Sequence, residues 1–405
     1  MGKADLQSFD PESFVEARIE DLKEAIGDEQ ALVAVSGGVD STTCAVLTHK
    51  AIGDNLVCVI LDDAFMRTGE PEYVAEVLSK PPLSVPLKVV DVRERFLNAM
   101  KGVSDAEEKR KRFQETFYQV LGETARREGC EVLVQGTIRA DIEETLGGVK
   151  TQHNVLEQMG IDPKERFGFK VAEPLVNLYK DQVRIVARLL GLPEEFSERQ
   201  PFPGPGLSVR VVGEIRPDKL DTVKKATTIV ERRLAEHAPS QYFASVIDNK
   251  GTVQNDRIIR VQDSVAQLLD VPPRNVHVKI FMDKATGVRE GERRYGNIVG
   301  LKVQTVNGKT LLPSVSDLIS VQRRVIGEDS GVVRVFYTIR DLNKRRPYII
   351  GIRAVQTENF LTAEVSQIPW ITLDRAAEEV MLECPNVSTV YYDVTPKPPA
   401  TIEME

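Results

Sequence analysis

The sequence predicts an α/β protein with two domains: a parallel sheet flanked by helices, then an α+β domain that contains one unit twice. Apolar strand-like runs alternate with amphipathic helical stretches in the first half of the chain. Three prolines and two glycines lie within residues 199–206, which is typical of a domain boundary. A strand–helix–strand pattern at about 295–337 recurs at 348–392. Because 405 residues exceed one ordinary domain, we expect domains at 1–200 and 201–405.

The first elements are a helix and a strand that ends at two glycines. Residues 11–28 have apolar side chains at helical spacing, residues 31–34 are an apolar strand, and residues from Thr42 onward have a helical pattern. Backbone N–H groups between such a strand and helix lie at the positive end of the helix dipole, where anions bind. This predicts a polyphosphate site in which Asp40 can hold the accompanying divalent cation. Its residues are Ser36, Gly37, Gly38, Val39, Asp40, Ser41 and Thr42.

The string Ser36-Gly-Gly-Val-Asp-Ser41 is not the loop of common kinases and GTPases, because the chain has no Gly-x4-Gly-Lys-Ser/Thr string. The alternative to a phosphate site is a glycine turn that binds no ligand. Its position directly after a strand favours the phosphate site.

Later strands bring further polar residues to the same rim of the predicted sheet. Residues 56–61, 87–92 and 132–136 are expected strands, and ligands bind at the carboxyl ends of parallel strands. Arg67 comes shortly after the first of these strands. It is either a phosphate-binding cation or a solvated surface arginine.

A long polar loop at 137–154 follows the strand at 132–136. It contains Gly147 and Gly148, so it is a candidate lid, with a disordered surface loop as the alternative. Its polar residues include Asp141, Glu144, Lys150 and His153. Lys180 and Asp181 stand near the start of the next helix, which ends at Gly191.

The second half opens with residues 209–214 and a helix at about 217–236. The two copies of its repeat contain helical stretches at 315–328 and 373–383. One such unit buries too little apolar surface alone, so we expect the two copies, or two subunits, to pair.

Composition excludes several functional classes. The net charge of −8 opposes binding to nucleic-acid backbone, whereas a phosphate-bearing small molecule needs only a few local cations. The start of the chain lacks the order of a signal peptide, and no apolar run reaches membrane-spanning length, so we expect a cytoplasmic protein. Widely spaced cysteines predict buried structural thiols rather than zinc or redox sites. They are Cys44, Cys58, Cys130 and Cys384.

Several strings resemble the ATP-pyrophosphatase part of the glutamine-hydrolysing GMP synthetase family over essentially the whole chain. Pro201-Phe-Pro-Gly-Pro-Gly-Leu207 and Lys397-Pro-Pro-Ala-Thr-Ile-Glu403 are highly specific to that family. The string at 36–41 marks only the ATP pyrophosphatase superfamily. The other matches are Arg67 with Glu70, Glu94-Arg-Phe-Leu97, Gly136-Thr-Ile138 with Asp141 and Glu144, Lys150 with His153-Asn-Val155, Glu173-Pro-Leu175 and Lys180-Asp181.

The resemblance implies an N-type ATP pyrophosphatase domain, similar to adenine nucleotide α-hydrolases, followed by a dimerisation-type domain. It implies that ATP, XMP and ammonia give GMP, AMP and pyrophosphate with Mg²⁺, and that ATP binds at 36–42. The implied catalytic residues, which include the lid residues that assist adenylation and the attack of ammonia, are Asp141, Glu144, Lys150, His153, Lys180 and Asp181. The implied XMP contacts are Arg67, Arg199, Lys397, Ile402 and Glu403.

The chain departs from the family pattern at two places. It has Gln152-His153-Asn154 where His-His-Asn is usual, and Asp62-Asp63-Ala64 where Asp-Asn-Gly is usual. The sequence has no glutaminase domain, so the resemblance implies a separate glutaminase subunit or free ammonia. It also allows a homodimer through the C-terminal domain, and we expect the second copy of the repeat to substitute in part for a dimer partner.

Two other functions stay open at this point. One is another adenylating ATP pyrophosphatase, such as a tRNA-modifying enzyme, although thiolation would need a sulfur-carrying cysteine and a basic surface that the sequence does not clearly offer. The other is a nucleotide-binding regulatory partner of a glutaminase, which the altered lid string favours.

Overall fold

The computed structural model describes residues 9–146, 169–198, 200–253, 255–357 and 361–405, without the side chains of 143–146. It consists of two compact units. Unit 1 comprises Met1–Ala99 and Lys111–Gly204, and unit 2 comprises Met100–Arg110 and Pro205–Glu405. The last change of unit along the chain lies inside the proline- and glycine-rich segment 199–206. No signal in the sequence assigns residues 100–110 to unit 2.

Unit 1 is built on a five-stranded parallel sheet with the strand order β3-β2-β1-β4-β5. Its strands are β1 (Ala31–Ala34), β2 (Leu56–Asp62), β3 (Leu87–Asp91), β4 (Val132–Val134) and β5 (Lys170–Ala172). The helices in this part of the chain are α1 (Pro11–Ile26), α2 (Val39–Ile52), α3 (Glu70–Ser79), α4 (Arg93–Met100), α5 (Ala106–Glu128), α6 (Arg139–Leu146), α7 (Lys180–Leu189) and α8 (Glu194–Ser197). The predicted parallel α/β architecture is confirmed, although β5 is not among the predicted strands.

Strand β1 lies at the centre of this sheet, where the strand order reverses. The next strand in the chain, β2, lies on one side of β1, and β4 lies on the other. A switch point of this kind leaves a crevice at the carboxyl end of the central strand, where open α/β sheets bind their ligands. Helix α2 begins at Val39 rather than at the predicted Thr42, because Gly38 has an extended backbone (φ −77°, ψ 153°) and is the N-cap.

Unit 2 contains a mixed sheet with the strand order β12-β11-β13-β10-β9-β8-β7, and β6 also pairs with β11. Its strands are β6 (Gln241–Asp248), β7 (Gly251–Thr252), β8 (Val276–Arg289), β9 (Glu292–Val303), β10 (Val332–Asp341), β11 (Tyr348–Gln356), β12 (Glu364–Val365) and β13 (Val387–Asp393). Its helices are α9 (Pro217–Leu234), α10 (Asp256–Leu268), α11 (Val315–Glu328) and α12 (Trp370–Glu383). No helix in the described parts of the chain is long and apolar enough to cross a membrane.

The repeated pattern corresponds to two strand–helix–strand units, β9-α11-β10 and β11-α12-β13. The two strands of each unit are parallel, and β10 pairs antiparallel with β13, with Tyr337 opposite Tyr392. The Tyr337 hydroxyl donates to the carbonyl of Leu311, and the Tyr392 hydroxyl donates to the carbonyl of Ser366. Tyr392 follows Tyr337 in the sequence by the same number of residues as Ser366 follows Leu311, so the two hydrogen bonds are equivalent in the two units. A local two-fold axis therefore passes between the two tyrosines.

This two-fold relation extends beyond the repeat that the sequence predicts. Strand β8 pairs antiparallel with β9, and β6 pairs antiparallel with β11. Helix α10 packs on α11, and α9 packs on α12. The first half therefore consists of α10, β8, β9, α11 and β10, and the second half of α9, β6, β11, α12 and β13. The chain order hides this larger repeat, since α9 and β6 precede the whole first half.

Candidate active site

The loop between β1 and α2, together with the first turn of α2, presents backbone donors at the start of a helix. We call residues 36–42 the phosphate loop. The N-cap of α2, Gly38, has no side chain of its own to cap the helix, and the Ser36 hydroxyl accepts from its N–H at a long 3.4 Å. Gly37 has a φ of +76°, which favours glycine. The hydroxyl of Ser41 accepts from the Ser36 N–H at 3.1 Å, and the two hydroxyls lie 3.0 Å apart. These contacts fold the loop over the first turn of α2. The start of a helix whose N-cap has no side chain suits an anion.

Asp40, in the first turn of α2, has one paired and one unpaired carboxylate oxygen. Its Oδ2 accepts from Nζ of Lys180, the first residue of α7, at 2.5 Å. Its Oδ1 is buried and has no hydrogen-bond partner among the described residues, and the same holds for the Thr42 hydroxyl. An unpartnered buried carboxylate oxygen costs free energy unless a cation binds it. The site therefore fits Mg²⁺, which takes one or two carboxylates and completes its shell with phosphate and water oxygens.

Gly136, two residues after β4, lets the first turn of α2 approach the neighbouring strand. A Cβ at this position would lie 3.0 Å from the backbone carbonyl and carbon of Asp40 and from the backbone nitrogen of Ser41. The adjacent Thr137 donates from Oγ1 to Glu173 Oε1 at 2.6 Å. Gly136 thus packs closely against the first turn of α2, and Thr137 joins this point to the residue that follows β5.

Asp141 lies in the first turn of α6. Its Oδ2 accepts from the backbone N–H of Ile138 at 3.0 Å, so this carboxylate stabilises the start of the helix. The start of α7 is held by Gln182, whose side chain accepts from the Tyr179 N–H at 2.9 Å. These local contacts fix the backbone that carries Asp141 and Lys180.

Arg67 follows β2 and is largely buried. Its guanidinium lies 3.5 Å from Glu70 Oε1 and 4.2 Å from the centroid of the Phe202 ring. Glu70 also accepts from the backbone N–H of Arg67 at 3.0 Å. A cation stacked on an aromatic ring and paired with one carboxylate is held in place, unlike a solvated surface arginine.

The departure from the family pattern at 62–64 forms a turn. The carboxylates of Asp62 and Asp63 accept from the N–H groups of Ala64 and Phe65, respectively. Ala64 has a φ of +75°, a conformation that favours glycine. Glycine is the residue that the resemblance leads us to expect there.

In unit 2, the segment after β13 carries three of the predicted XMP contacts. Lys397 pairs through its backbone with Ala363, and Ile402 packs against the hydrophobic core. The Glu403 carboxylate accepts two hydrogen bonds from the buried Arg210, each 2.9 Å long. This bidentate pair fixes the Glu403 side chain within unit 2.

Not every predicted site residue can be assigned a position. Lys150, His153, Arg199 and the side chain of Glu144 lie outside the described residues. The side chain of Asp181 is 62% exposed and pairs with Arg184 at 3.7 Å, so it does not share the contact of Lys180 with Asp40. The catalytic roles of these residues stay predictions.

Comparisons with known proteins assign the family. A family model described as PP-loop domain matches residues 11–193, and one described as GMP synthase C terminal domain matches residues 339–404. One subunit of the glutamine-hydrolyzing GMP synthase from Sulfurisphaera tokodaii is 43% identical over 98% of this chain and 100% of its own length. The subunits of the same name from Saccharolobus solfataricus and Methanopyrus kandleri are 42% and 40% identical over the same shares.

The chain belongs to this family of GMP synthase subunits.

Membership of the GMP synthase family confirms the predicted fold class and enzyme class: the chain is an ATP-using ligase that forms a C–N bond. Among solved structures, NMN synthetase from Francisella tularensis aligns with 50% of this chain and 79% of its own at 18% identity, with a TM-score of 0.39. That likeness is too weak to carry an argument.

Four residues of this GMP synthase family member that build the segment after β13 were not predicted as site residues. They are Arg210, Arg334, Arg353 and Asp393, all buried. A signal was present, since Arg334 is the one charge within residues 332–339 and Arg353 is the one charge within residues 348–356, and both stretches are otherwise mostly apolar. The partners of such charges depend on strand pairing, which the sequence alone did not reveal.

Proposed function

We propose that this chain is the synthetase subunit that transfers AMP from ATP to O2 of XMP and then releases GMP when ammonia displaces the AMP. The observation that carries the proposal is the start of α2 at a glycine N-cap, with the orphaned Oδ1 of Asp40 beside Lys180, at the switch point of a sheet in a GMP synthase family member. In this proposal the ammonia comes from a separate glutaminase subunit.

The phosphate loop binds the β and γ phosphates of ATP through backbone N–H groups and the hydroxyls of Ser36, Ser41 and Thr42. Asp40 Oδ1 would hold Mg²⁺, which when bound would neutralise phosphate oxygens, while Lys180 keeps Asp40 oriented. Backbone donors of this kind need no reorganisation as negative charge develops on the leaving pyrophosphate.

The proposed reaction has two chemical steps. The O2 atom of XMP forms a bond to the α phosphorus as the bond from that phosphorus to the bridging oxygen breaks, so pyrophosphate leaves. Ammonia then adds to C2, and the AMP leaves together with the original O2. The added nitrogen must lose a proton, for which Asp141 and Glu144 are the proposed acceptors.

The proposed XMP contact in unit 1 is Arg67, a permanent cation that Phe202 and Glu70 hold in place. In unit 2 the proposed contacts are Lys397, Ile402 and Glu403. Because Arg210 already binds the Glu403 carboxylate, we propose that Glu403 contributes mainly by fixing the segment, with Lys397 supplying the charge. Arg199 completes the proposed XMP contacts, whereas Lys150, His153 and Asp181 belong to the proposed catalytic residues.

The proposed assembly follows from the two-fold relation within unit 2. Its two halves pair through β10 and β13, so one chain already supplies the pairing expected of two copies. We therefore propose that the second copy substitutes at least in part for a dimer partner. We also propose that the enzyme works in the cytoplasm. Sedimentation showing a tight dimer closed through both copies would reject this substitution.

The reaction is tested with XMP that carries ¹⁸O at O2, incubated with the protein, Mg²⁺, ATP and ammonium. The proposal predicts GMP, pyrophosphate and AMP whose phosphate carries the ¹⁸O label. Omitting ammonium should stop GMP formation. AMP without label would reject adenylation at O2.

The same assay separates the two alternatives. A tRNA-modifying enzyme would consume ATP only when tRNA is added, and a regulatory partner of a glutaminase would bind ATP without forming AMP. Turnover with XMP and ammonium alone rejects both.

A further inference from the structure

Two buried arginines on neighbouring halves of unit 2 share one carboxylate. Arg334 lies on β10 and Arg353 on β11, and their side chains are fully buried. Nη1 of Arg334 donates to Oδ2 of Asp393 at 2.7 Å, and Nη1 of Arg353 donates to the same oxygen at 2.9 Å. Two guanidinium groups with one carboxylate leave an excess positive charge. In a dry interior this charge requires oriented dipoles.

The dipoles come from backbone carbonyl groups of the segment after β13. The Thr401 carbonyl accepts from Nη2 of Arg334 at 2.9 Å and from Nη2 of Arg353 at 2.8 Å. The Glu403 carbonyl accepts from Arg334, and the Thr395 carbonyl accepts from Arg353 at 2.9 Å. The conformation of residues 395–403 thus depends on both guanidinium groups, which we call the arginine pair.

The arginine pair breaks the two-fold relation of unit 2. The shift that relates Tyr337 to Tyr392 places Thr338 where the second half has Asp393. Only the second half therefore has a carboxylate at this position. That carboxylate, Asp393, nevertheless pairs with an arginine of the first half, Arg334. An arginine of the first half thus holds the segment that follows the last strand of the second half.

The Arg334 guanidinium retains its charge at neutral pH. Burial, followed by the neighbouring Arg353 guanidinium, lowers the pKa of Arg334 to about 10. This value lies well above neutral pH, so Arg334 stays protonated there. Lysine at either position lacks the planar set of donors that reaches two carbonyl groups at once.

We propose that Arg334 and Arg353 are positioning residues that hold residues 395–403 in the conformation that binds the acceptor nucleotide. The proposal rests on the proposed function, since the segment carries Lys397, Ile402 and Glu403. The arginine pair does not touch the nucleotide and acts through the backbone. Its loss should therefore weaken XMP binding much more than the chemical step.

The test compares Arg334→Lys and Arg353→Lys with a matched control, Arg340→Lys. Arg340 also lies on β10 and pairs with Asp374 and Glu378 of α12, but not with the segment. We expect each of the first two variants to raise the KM for XMP about tenfold or more, with the KM for ATP and kcat changed less than about threefold. Arg340→Lys should leave all three values near wild type.

A milder pair of variants keeps the test decisive if a lysine variant does not fold. The Thr401 hydroxyl accepts from Arg334 and also contacts the Glu403 carbonyl. Thr401→Val should raise the KM for XMP several-fold and speed hydrogen exchange of the 395–405 backbone without nucleotide. Thr401→Ser, which keeps the hydroxyl, should restore both.

Folded Arg334→Lys protein with wild-type KM for XMP and wild-type exchange at 395–405 would overturn the proposal. If Arg334→Lys does not fold, an unchanged KM and exchange rate in Thr401→Val would overturn it. A wild-type chain that does not convert XMP would instead reject the proposed function, so the two failures are distinguishable.

Discussion

The phosphate loop of unit 1 and the segment after β13 in unit 2 are held in place by different kinds of contact. Residues 36–42 contact one another, and their position follows from one strand, one helix and two glycines. Residues 395–403 are held by arginines from distant strands, which donate hydrogen bonds to backbone carbonyl groups of the segment. Local sequence therefore specifies the first site, whereas the pairing of strands specifies the second.

The comparison implies that the two regions respond differently to substitution. Changes to the polar side chains of the phosphate loop should act on ATP chemistry while unit 1 stays folded, since Val39 is the only residue of 36–42 in the hydrophobic core cluster. Changes around 395–403 should act on the acceptor and on the order of that segment. Three variants test this division, taken from the largest expected effect to the smallest, and a fourth test concerns thiols that lie outside both regions.

Asp40→Asn should reduce turnover by about 10²-fold or more. The substitution keeps the size of the side chain but removes the charge that orients Lys180 and would hold the cation. Loss of a preorganised electrostatic contact reduces turnover by about this factor. Steady-state rates with saturating XMP and ammonium measure the effect. Asp21→Asn, which alters a surface pair with Arg18, is the control. Activity of Asp40→Asn within threefold of wild type would break the assignment of the loop.

Gly136→Ala should raise the KM for ATP about tenfold. The new methyl group must displace the backbone of Asp40 and Ser41, and overpacking of this kind costs about 1–3 kcal/mol. Titration of ATP at fixed XMP gives the KM. Gly327→Ala in α11, where nothing lies within 4 Å of the added Cβ, should leave it unchanged. Equal behaviour of the two variants would show that β4 does not support the loop.

Lys397→Ala should raise the KM for XMP about tenfold, because a charge-assisted hydrogen bond to phosphate contributes about 1.5–3 kcal/mol. The KM for ATP should not change, because the phosphate loop acts on ATP whereas residues 395–403 act on the acceptor. Lys397→Arg is the control, since it keeps a cation at this position. A KM for XMP that stays at the wild-type value in Lys397→Ala would mean that the lysine is only structural.

Thiol reagents should have the smallest effect. Burial raises the pKa of Cys58 to about 12 and that of Cys130 and Cys384 to about 11, and it raises the pKa of Cys44 as well. At about pH 8 all four thiols are then protonated and unreactive in the folded chain. A colorimetric disulfide reagent should label none of them until guanidinium chloride unfolds the protein. Rapid labelling with loss of activity would contradict the structural role.

The sequence was most informative where the deciding contacts are local. The loop at 36–42 could be predicted because its glycines, hydroxyls and carboxylate follow one another directly. Helix α2 nevertheless begins before Thr42, since Gly38 is already an extended N-cap. The contact of Lys180 with Asp40 spans most of unit 1, and the sequence offered only the resemblance as a guide to it.

The rest depended on long-range geometry. The larger two-fold relation of unit 2 was hidden because α9 and β6 lie far from the elements they join. Arg334 meets Asp393 only because β10 pairs with β13 in a particular register. A one-residue change of register would turn these side chains to opposite faces, so periodicity along one strand could not identify the partner.

The most direct test of the account is a crystal structure with Mg²⁺ and the nonhydrolysable analogue α,β-methylene-ATP. The account predicts the β and γ phosphates within hydrogen-bond distance of the backbone N–H groups at the start of α2, with the cation bound to Asp40 Oδ1. A nucleotide bound elsewhere, with this loop empty, would contradict it.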